Sequence, residues 1–490
     1  MLKTTFVPIE IPDIKRDIPN VFASDYSVTV DGVHCQIRLC RESALPFNRI
    51  WPGYQRSTDQ TEIAGFVSFT ADKAVKVCIE NMKATGSAPV TIRPLSRKVS
   101  PSVNGGKIEF ELTEPGQYVL ENGSAHCPLY IFFDPSRQNN GAKAKWHFGP
   151  GVHFPGTIVL SSGDSVYIDP DAIVFGSIYG NDVHGVRIFG GGTLHGGNLA
   201  RVFRSITETL LIPTIKFYNS TDIQISDIII QDAPCWVVSF WNCSEIDIDF
   251  VKIVGQWRYN TDGIDICNSD NVQITRSFVR AFDDAIVMKG MDYVDYRTVK
   301  WQKDHPLTDI NVKECVLWCG WGRTLEVGIE TAAPEYARIL FENCDLIHNS
   351  AVCMDIQNGL YADIHDITFR NIRIEYQTDT LPEVYQAQDD QKYDQFDKMG
   401  VPILIFADNH RYFTPPHTFG SIHDILYENI AVTVEAGVTE KLKVRIANIS
   451  DDATVGNFTI RNLTINGRRV SGPDDVFYDT EGRVGTVRWE

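Results

Sequence analysis

Asn219-Ser-Thr-Asp-Ile-Gln-Ile225 recurs as Asn242-Cys-Ser-Glu-Ile-Asp-Ile248 and again as Asn268-Ser-Asp-Asn-Val-Gln-Ile274. The leading asparagines stand 23 and then 26 residues apart, from 219 to 242 and on to 268. Related runs follow at 337–344, 364–372, 422–430 and 455–465. Each unit offers two or three short β-branched strands separated by polar corners. One such coil cannot bury its own apolar face, but stacked coils can, which is the logic of a solenoid. Asparagine suits the corners because it tolerates left-handed backbone geometry and hydrogen-bonds its neighbours. The competing reading is an ordinary antiparallel β-protein. The near absence of helical periodicity and the persistence of the spacing argue instead for a right-handed parallel β-helix over 145–490.

Upstream the texture differs. Runs at 26–30, 35–39, 65–70, 75–79, 107–112, 118–120 and 129–133 are punctuated by Asp31-Gly32, Asn104-Gly105-Gly106 and Asn122-Gly123. Closely spaced strands with such turns predict an N-terminal β-sandwich within 1–134, so the chain is expected to be all-β. The stretch 134–144, with Asn139-Asn140-Gly141, reads as a linker. Within the solenoid, 377–421 breaks the repeat. It is acidic in its first half and carries Tyr385, Tyr393, Phe396, Tyr412 and Phe413. Long insertions on a rigid solenoid build walls of binding grooves.

Bulk properties narrow the function. With 490 residues, 43% of them hydrophobic and 22% charged, the chain suits one large domain plus a smaller one. The net charge of −18 repels nucleic acid and anionic membranes and counts mildly against a polyanionic substrate. No run approaches the roughly 18 apolar residues of a membrane span. Residues 1–20, with Pro8, Pro12 and Pro19, lack the apolar core of a secretory signal, so a cytoplasmic location is expected, or a secreted one if the N-terminus was trimmed. Eleven cysteines are scattered without a CxxC pair, Cys315 and Cys319 coming nearest. That argues for buried reduced thiols and against a zinc site; no metal or cofactor is expected.

Two neighbouring coils carry the chemistry, Asn260-Thr-Asp-Gly-Ile-Asp265 and Phe282-Asp-Asp-Ala-Ile-Val-Met-Lys289. Asp262 precedes Asp283 by 21 residues, about one coil. Residues one coil apart sit one above the other at about 4.8 Å, so Asp262 and the Asp283–Asp284 pair are expected to converge. Adjacent aspartates at a single turn are usually solvated or capping. Carboxylates in successive repeats, with Gly263 and Lys289 alongside, form a site. Three so close cannot all ionise, and at least one pKa rises. A protonated carboxyl beside an ionised one is the arrangement that glycosidic hydrolysis requires.

These motifs resemble those of the polygalacturonase-type glycoside hydrolases, family 28, and their relatives the family 49 dextranases and isopullulanases. The likeness starts at Gly191-Gly-Thr-Leu194 and runs through Asp232-Ala-Pro-Cys-Trp-Val237, Asn260-Thr-Asp-Gly263 and Asp283-Asp284. It fades towards Ile374. The preceding sandwich is more like the family 49 arrangement. The resemblance implies an inverting β-helix hydrolase with Asp283 as general acid and Asp262 and Asp284 as the pair that holds and activates water. The partner is then an oligosaccharide or polysaccharide; short oligosaccharides and exo-action would suit a cytoplasmic enzyme.

The chain also departs from family 28. Where polygalacturonases carry Gly-His-Gly, this chain reads Gly320-Trp321-Gly322-Arg323. Where they carry an Arg-Ile-Lys element that grips a uronate, it reads Val352-Cys-Met-Asp-Ile-Gln357. Asp355 in that place repels a uronate, so a neutral α-linked substrate is expected, although Arg323 offers a compensating cation. Trp236, Trp241, Trp257, Tyr259, Trp318 and Trp321 surround the aspartates, and a pyranose face packs on an indole, although most tryptophans are core. Trp236, Trp321, Lys289, Arg323 and Asp355 are the expected substrate-binding residues. Glu326 and Glu330 are read as coil caps or hydroxyl acceptors. The alternatives are a uronate-active hydrolase relying on Arg323 or Lys289, a lyase using the aspartates as Ca²⁺ ligands, and a non-catalytic glycan-binding solenoid.

Overall fold

The structure, a computed structural model, describes residues 26–43, 61–81, 89–137, 141–199, 214–258, 260–291, 304–377, 402–409, 419–438 and 440–490, together with the backbone of 3–4, 387–388 and 391–392. Tyr259 and the aromatic side chains Tyr385, Tyr393, Phe396, Tyr412 and Phe413 lie outside the described residues.

The N-terminal part is a sandwich of two sheets. One is built around Thr61–Thr70, Leu129–Asp134 and Gly116–Asn122; the other is built around Tyr26–Val30, Val75–Asn81 and Lys107–Leu112. Alternation explains the pairing. Ile108, Phe110 and Leu112 point inward from a strand whose other residues are exposed or half-buried. In Leu129–Asp134 every residue is buried, because this strand has no solvent face. Leu129, Ile131 and Phe133 fill the sandwich core, while Tyr130 and Phe132 pack against the next domain.

From Trp146 onward the chain winds as a right-handed parallel β-helix bounded by one 12-stranded sheet and one 21-stranded sheet. One coil shows the plan: Ser244–Asp249, a corner, Lys252–Val254, a wider turn, then Ile264–Cys267 and Asn268, which opens the next coil at Asp270–Thr275. The interior is stacked rather than merely apolar. Ile223, Ile246, Val272, Ile310, Ile339, Ile367, Ile425 and Phe458 are register partners in consecutive coils and are all fully buried or nearly so. Burying each such side chain contributes roughly 1.5–3 kcal/mol, which a single coil could not collect alone.

The asparagine corners behave as their chemistry requires. Asn219, Asn242 and Asn268 follow the register partners Tyr218, Trp241 and Cys267, and have φ of 48°, 55° and 43°. The amide of Asn242 donates to that of Asn219 at 2.7 Å. Asn268 leaves this ladder and donates instead to the carbonyl of Ala332 at 3.0 Å. A second ladder climbs Asn343, Asn371, Asn429 and Asn462.

The segment read as a linker is tied down at its start. Asp134 pairs with buried Lys252 at 2.7 Å, and Arg137 with Asp249 at 2.5 Å. The stretch read as one long interruption, 377–421, contains a solenoid strand, Ile403–Asn409, paired with Val352–Asn358 and Lys443–Ala447. All eleven cysteines are free thiols, and all but Cys78 and Cys127 are buried.

Candidate active site

The site lies where three consecutive coils present the strands Ile264–Cys267, Ile286–Gly290 and Arg323–Thr331. Ile264, Ile286 and Leu325 are register partners facing the interior. Counting back two residues stacks Asp262, Asp284 and Arg323, and the backbone agrees. Gly263 N donates to the carbonyl of Asp284 at 2.8 Å, and Ala285 N to that of Arg323 at 2.8 Å. The spacing of 21 residues brings Asp262 to the Asp283–Asp284 pair, and the ladder shows that Asp284 is the one stacked on Asp262. Asp283 is beside them, its Oδ1 accepting from the Asp284 amide at 3.1 Å. Trp236 caps the file on the opposite side, since Val237 N donates to the Asp262 carbonyl at 2.9 Å.

A single ammonium organises these carboxylates. Lys289 Nζ is 2.6 Å from Asp262 Oδ2, 3.1 Å from Asp265 Oδ1 and 3.7 Å from Asp284 Oδ2, and lies 4.1 Å above the Trp236 ring. One small cation touching both Asp262 and Asp284 holds their oxygens within the sum of those two distances. Asp284 Oδ1 also accepts the Arg323 amide at 2.9 Å, with the guanidinium at 3.6 Å. The same guanidinium is 3.4 Å from Asp355 and 3.8 Å from Glu326. Asp265, Val287, Glu326 and Asp355 form a second file on the outward face of these strands, and all are completely buried.

Protonation diverges within one turn. Burial, and then the charges of Asp262 and Asp284, push the Asp283 carboxyl well above the usual carboxylate range. Burial would push Asp284 the same way. Arg323, Lys289, a bond from Glu326 and the Arg323 amide outweigh it and hold Asp284 below that range. Asp262 is pushed up to about 6, mainly by burial, with Lys289 opposing. Asp355 is raised to about 7 by burial, and Asp265 and Glu326 well above the usual range for the same reason.

The expected substrate contacts divide. Trp321, half-buried and next in sequence to Gly322, stacks on Phe282 with ring centroids 6.1 Å apart. Arg323 keeps about a quarter of its side chain exposed. Trp236, Lys289 and Asp355 are buried: Lys289 touches Asp262, Asp265 and Asp284 and lies over Trp236, while Asp355 contacts Arg323 and Gln357. Trp257 is engaged with Asp232 at 2.8 Å, and Trp318 faces the sandwich, so neither belongs to the carboxylate cluster.

Two residues escaped the sequence reading. Asp265 enters the sequence reading only as part of its motif, and its register partner Val287 puts it on the strand face that carries Lys289. Gly322 had been quoted only as the frame of a missing histidine. A Cβ at Gly322 would stand 2.4 Å from Asp284 Oδ1 and 2.6 Å from Asp283 Oδ1, so both carboxylates lean on its bare Cα.

Comparison with known proteins agrees with this architecture. Residues 142–381 match the family model for glycosyl hydrolases family 28. The probable exopolygalacturonase B of Aspergillus terreus is 26% identical over 219 residues, 39% of this chain and 45% of that protein. A polygalacturonase of Gossypium barbadense is 26% identical over 191 residues, 34% of this chain and 45% of that one. The chain thus spans less than half the length of either relative. Among solved structures, Dex49A from Penicillium minioluteum has a TM-score of 0.71 at 16% identity and covers 100% of this chain and 98% of its own. The exopolygalacturonase from Thermotoga maritima has a TM-score of 0.51 at 13% identity, covering 71% and 84%. The chain therefore resembles family 28 in sequence, and in fold it resembles both family 28 and the family 49 protein.

Proposed function

We propose that this protein is an inverting glycoside hydrolase acting on a neutral glycan or oligosaccharide, with Asp283 as general acid and Asp262 and Asp284 as the pair that positions and deprotonates water. The observation that carries the reading is the divergence of two adjacent carboxyls, Asp283 pushed towards the protonated form and Asp284 towards the ionised one. Glycoside hydrolysis with inversion needs that pairing. Asp283 delivers its proton to the leaving oxygen, and water attacks the anomeric carbon from the opposite face. The water's proton passes to the Asp262–Asp284 pair. Lys289 keeps that pair together and compensates its charge.

The charge of the site supports a neutral substrate. Asp262, Asp265, Asp284, Glu326 and Asp355 share Lys289 and Arg323, so each cation already serves several carboxyls. A uronate would have to compete for these two cations with the carboxyls that already engage them, ionised Asp284 first among them. A second reading, hydrolysis of a uronate, is favoured by the printed names of the curated relatives and by the exposed part of Arg323. A Ca²⁺-dependent lyase is disfavoured because the Lys289 ammonium sits among the carboxylates that would have to ligate the metal.

One experiment separates these readings: neutral α-linked oligosaccharides and oligogalacturonides are compared at low ionic strength, with and without chelator. Release of reducing sugar from the neutral set, insensitive to chelator and abolished in Asp283→Asn, is expected. Preferential turnover of oligogalacturonides overturns the neutral reading, and an unsaturated product overturns hydrolysis.

A further inference from the structure

We infer that the buried Glu42–Arg280 pair, one partner from the sandwich and one from the β-helix, positions both catalytic turns, so that the N-terminal sandwich is part of the active-site framework. The inference rests on the reading of Asp262, Asp283 and Asp284 given above.

Arg280 lies in the strand Phe278–Ala281, which runs directly into Phe282-Asp283-Asp284. Its guanidinium faces the sandwich, with Nε 3.3 Å from Glu42 and one Nη donating to the Ser43 carbonyl at 3.3 Å. The other Nη donates to the Tyr130 hydroxyl, and the guanidinium carbon sits 3.9 Å above the Trp318 ring. Glu42 is completely buried and reaches the preceding coil as well. Its Oε1 accepts the amide of Gly255 at 2.8 Å and is 3.3 Å from the Tyr130 hydroxyl. Gly255, at φ 70°, opens the turn that ends at Asp262. A Cβ at Gly255 would meet Cys40 Cβ of the sandwich at 3.2 Å. One carboxylate of the sandwich therefore holds the start of the Asp262 turn directly and the approach to Asp283 through Arg280.

Neither residue touches the reacting groups, so both act through backbone placement. The chemistry is sensitive to that placement, since a displacement of about 1 Å costs on the order of a hundredfold in rate. Leaving one member of a buried pair unpartnered is what would produce it.

The test uses the full chain and four variants: Glu42→Gln, Tyr130→Phe, Arg280→Lys and Asp283→Asn. The probe is the neutral α-linked oligosaccharide that the wild type cleaves fastest. Readouts are kcat and KM, the pH profile, the melting temperature, and hydrogen exchange of peptides covering 255–263 and 282–285. Glu42→Gln keeps shape and an acceptor for Gly255. It is expected to lower kcat at least tenfold with KM within about twofold, and to speed exchange in both peptides. It should also move the alkaline limb, because Asp283 faces Asp262, Asp284, Lys289 and Arg323 and shifts with their distances. Tyr130→Phe should do the same more weakly, and Arg280→Lys should retain part of the activity. If Arg280→Lys fails to fold, the other two variants decide. Melting temperatures that fall while kcat, pH profile and local exchange stay as in the wild type would show a merely structural pair and overturn the inference. An Asp283→Asn enzyme of wild-type activity would instead overturn the catalytic reading, and this inference with it.

Discussion

Replacing Gly322 by alanine adds one methyl group at the most crowded point of the site. The new Cβ would stand 2.4 Å from Asp284 Oδ1, 2.6 Å from Asp283 Oδ1 and 2.8 Å from Asp284 N. Ordinary carbon contacts begin at about 3.5 Å, so both carboxylates must retreat by about 1 Å. They cannot do so freely, because Asp284 is held by the Arg323 amide and by Lys289, and both aspartates are almost completely buried. The φ of Gly322 itself is not the obstacle, since it is not among the glycines with left-handed φ, but the Asp284 backbone nitrogen is as crowded as the carboxylates. A misplacement of that size predicts a loss in kcat on the order of a hundredfold, with overpacking costing about 1–3 kcal/mol of stability. Gly320→Ala is the internal control. Its Cβ would meet the Ala281 carbonyl at 3.4 Å and Phe282 at 3.6 Å, which are ordinary contacts. Initial rates of reducing-sugar release, with calorimetric melting of both variants, make the comparison. A folded Gly322→Ala enzyme with kcat within threefold of the wild type would refute the placement of the two carboxylates against this glycine.

Asp283→Asn removes the proton donor, so poor leaving groups should suffer far more than activated aryl glycosides, whereas Asp262→Asn and Asp284→Asn should harm both alike; equal losses in all three would sink the role assignment. NMR of the first-formed product should show the inverted anomer, and a retained anomer would make one of these aspartates a nucleophile. The rate should fall as pH rises through the elevated Asp283 value, and fall on the acid side as Asp284 and Asp262 take up protons, Asp262 near about 6; an alkaline limb at the value of an ordinary carboxyl would contradict the buried, repelled Asp283. On the outer face, His365 and His423 stack at 5.2 Å, and His365 lies between Glu335 at 3.1 Å and Asp366 at 2.9 Å. Although partial burial opposes it, the hydrogen bond to Asp366 and the nearby carboxylates raise the His365 pKa. The stability it contributes is then full below the ordinary histidine value of about 6.5 and lost as pH rises through the folded one. His365→Gln should therefore lower the melting temperature more at pH 5.5 than at pH 8.5, the difference corresponding to less than about 1 kcal/mol of stability because solvent screens the pair.

Much of this molecule was legible in the chain itself, because the signals involved are local. Alternation in stretches such as Lys107–Leu112 marks a half-buried strand whatever it pairs with, and an asparagine every coil marks a left-handed corner, as Asn219 and Asn242 show. Coil spacing alone brought Asp262 to the Asp283–Asp284 pair. It could not say which of the two stands above Asp262, because register depends on the length and shape of the turn between the strands, and a slip of one residue turns a side chain to the other face. What Lys289 and Asp355 contact was likewise set by packing that spacing does not reveal. Both were read as substrate contacts, and both are buried, where an ionised group is tolerated only with partners close by. Asp355 is 2.6 Å from Gln357 and 3.4 Å from Arg323. The sandwich contacts were the least legible of all. Glu42 and Arg280 are separated by most of the sandwich and half the solenoid, and no local pattern links them. Only the docking of Tyr130 and Phe132 onto Phe278 and Trp318 makes the charges neighbours, and desolvation in that closed interface then requires them to pair.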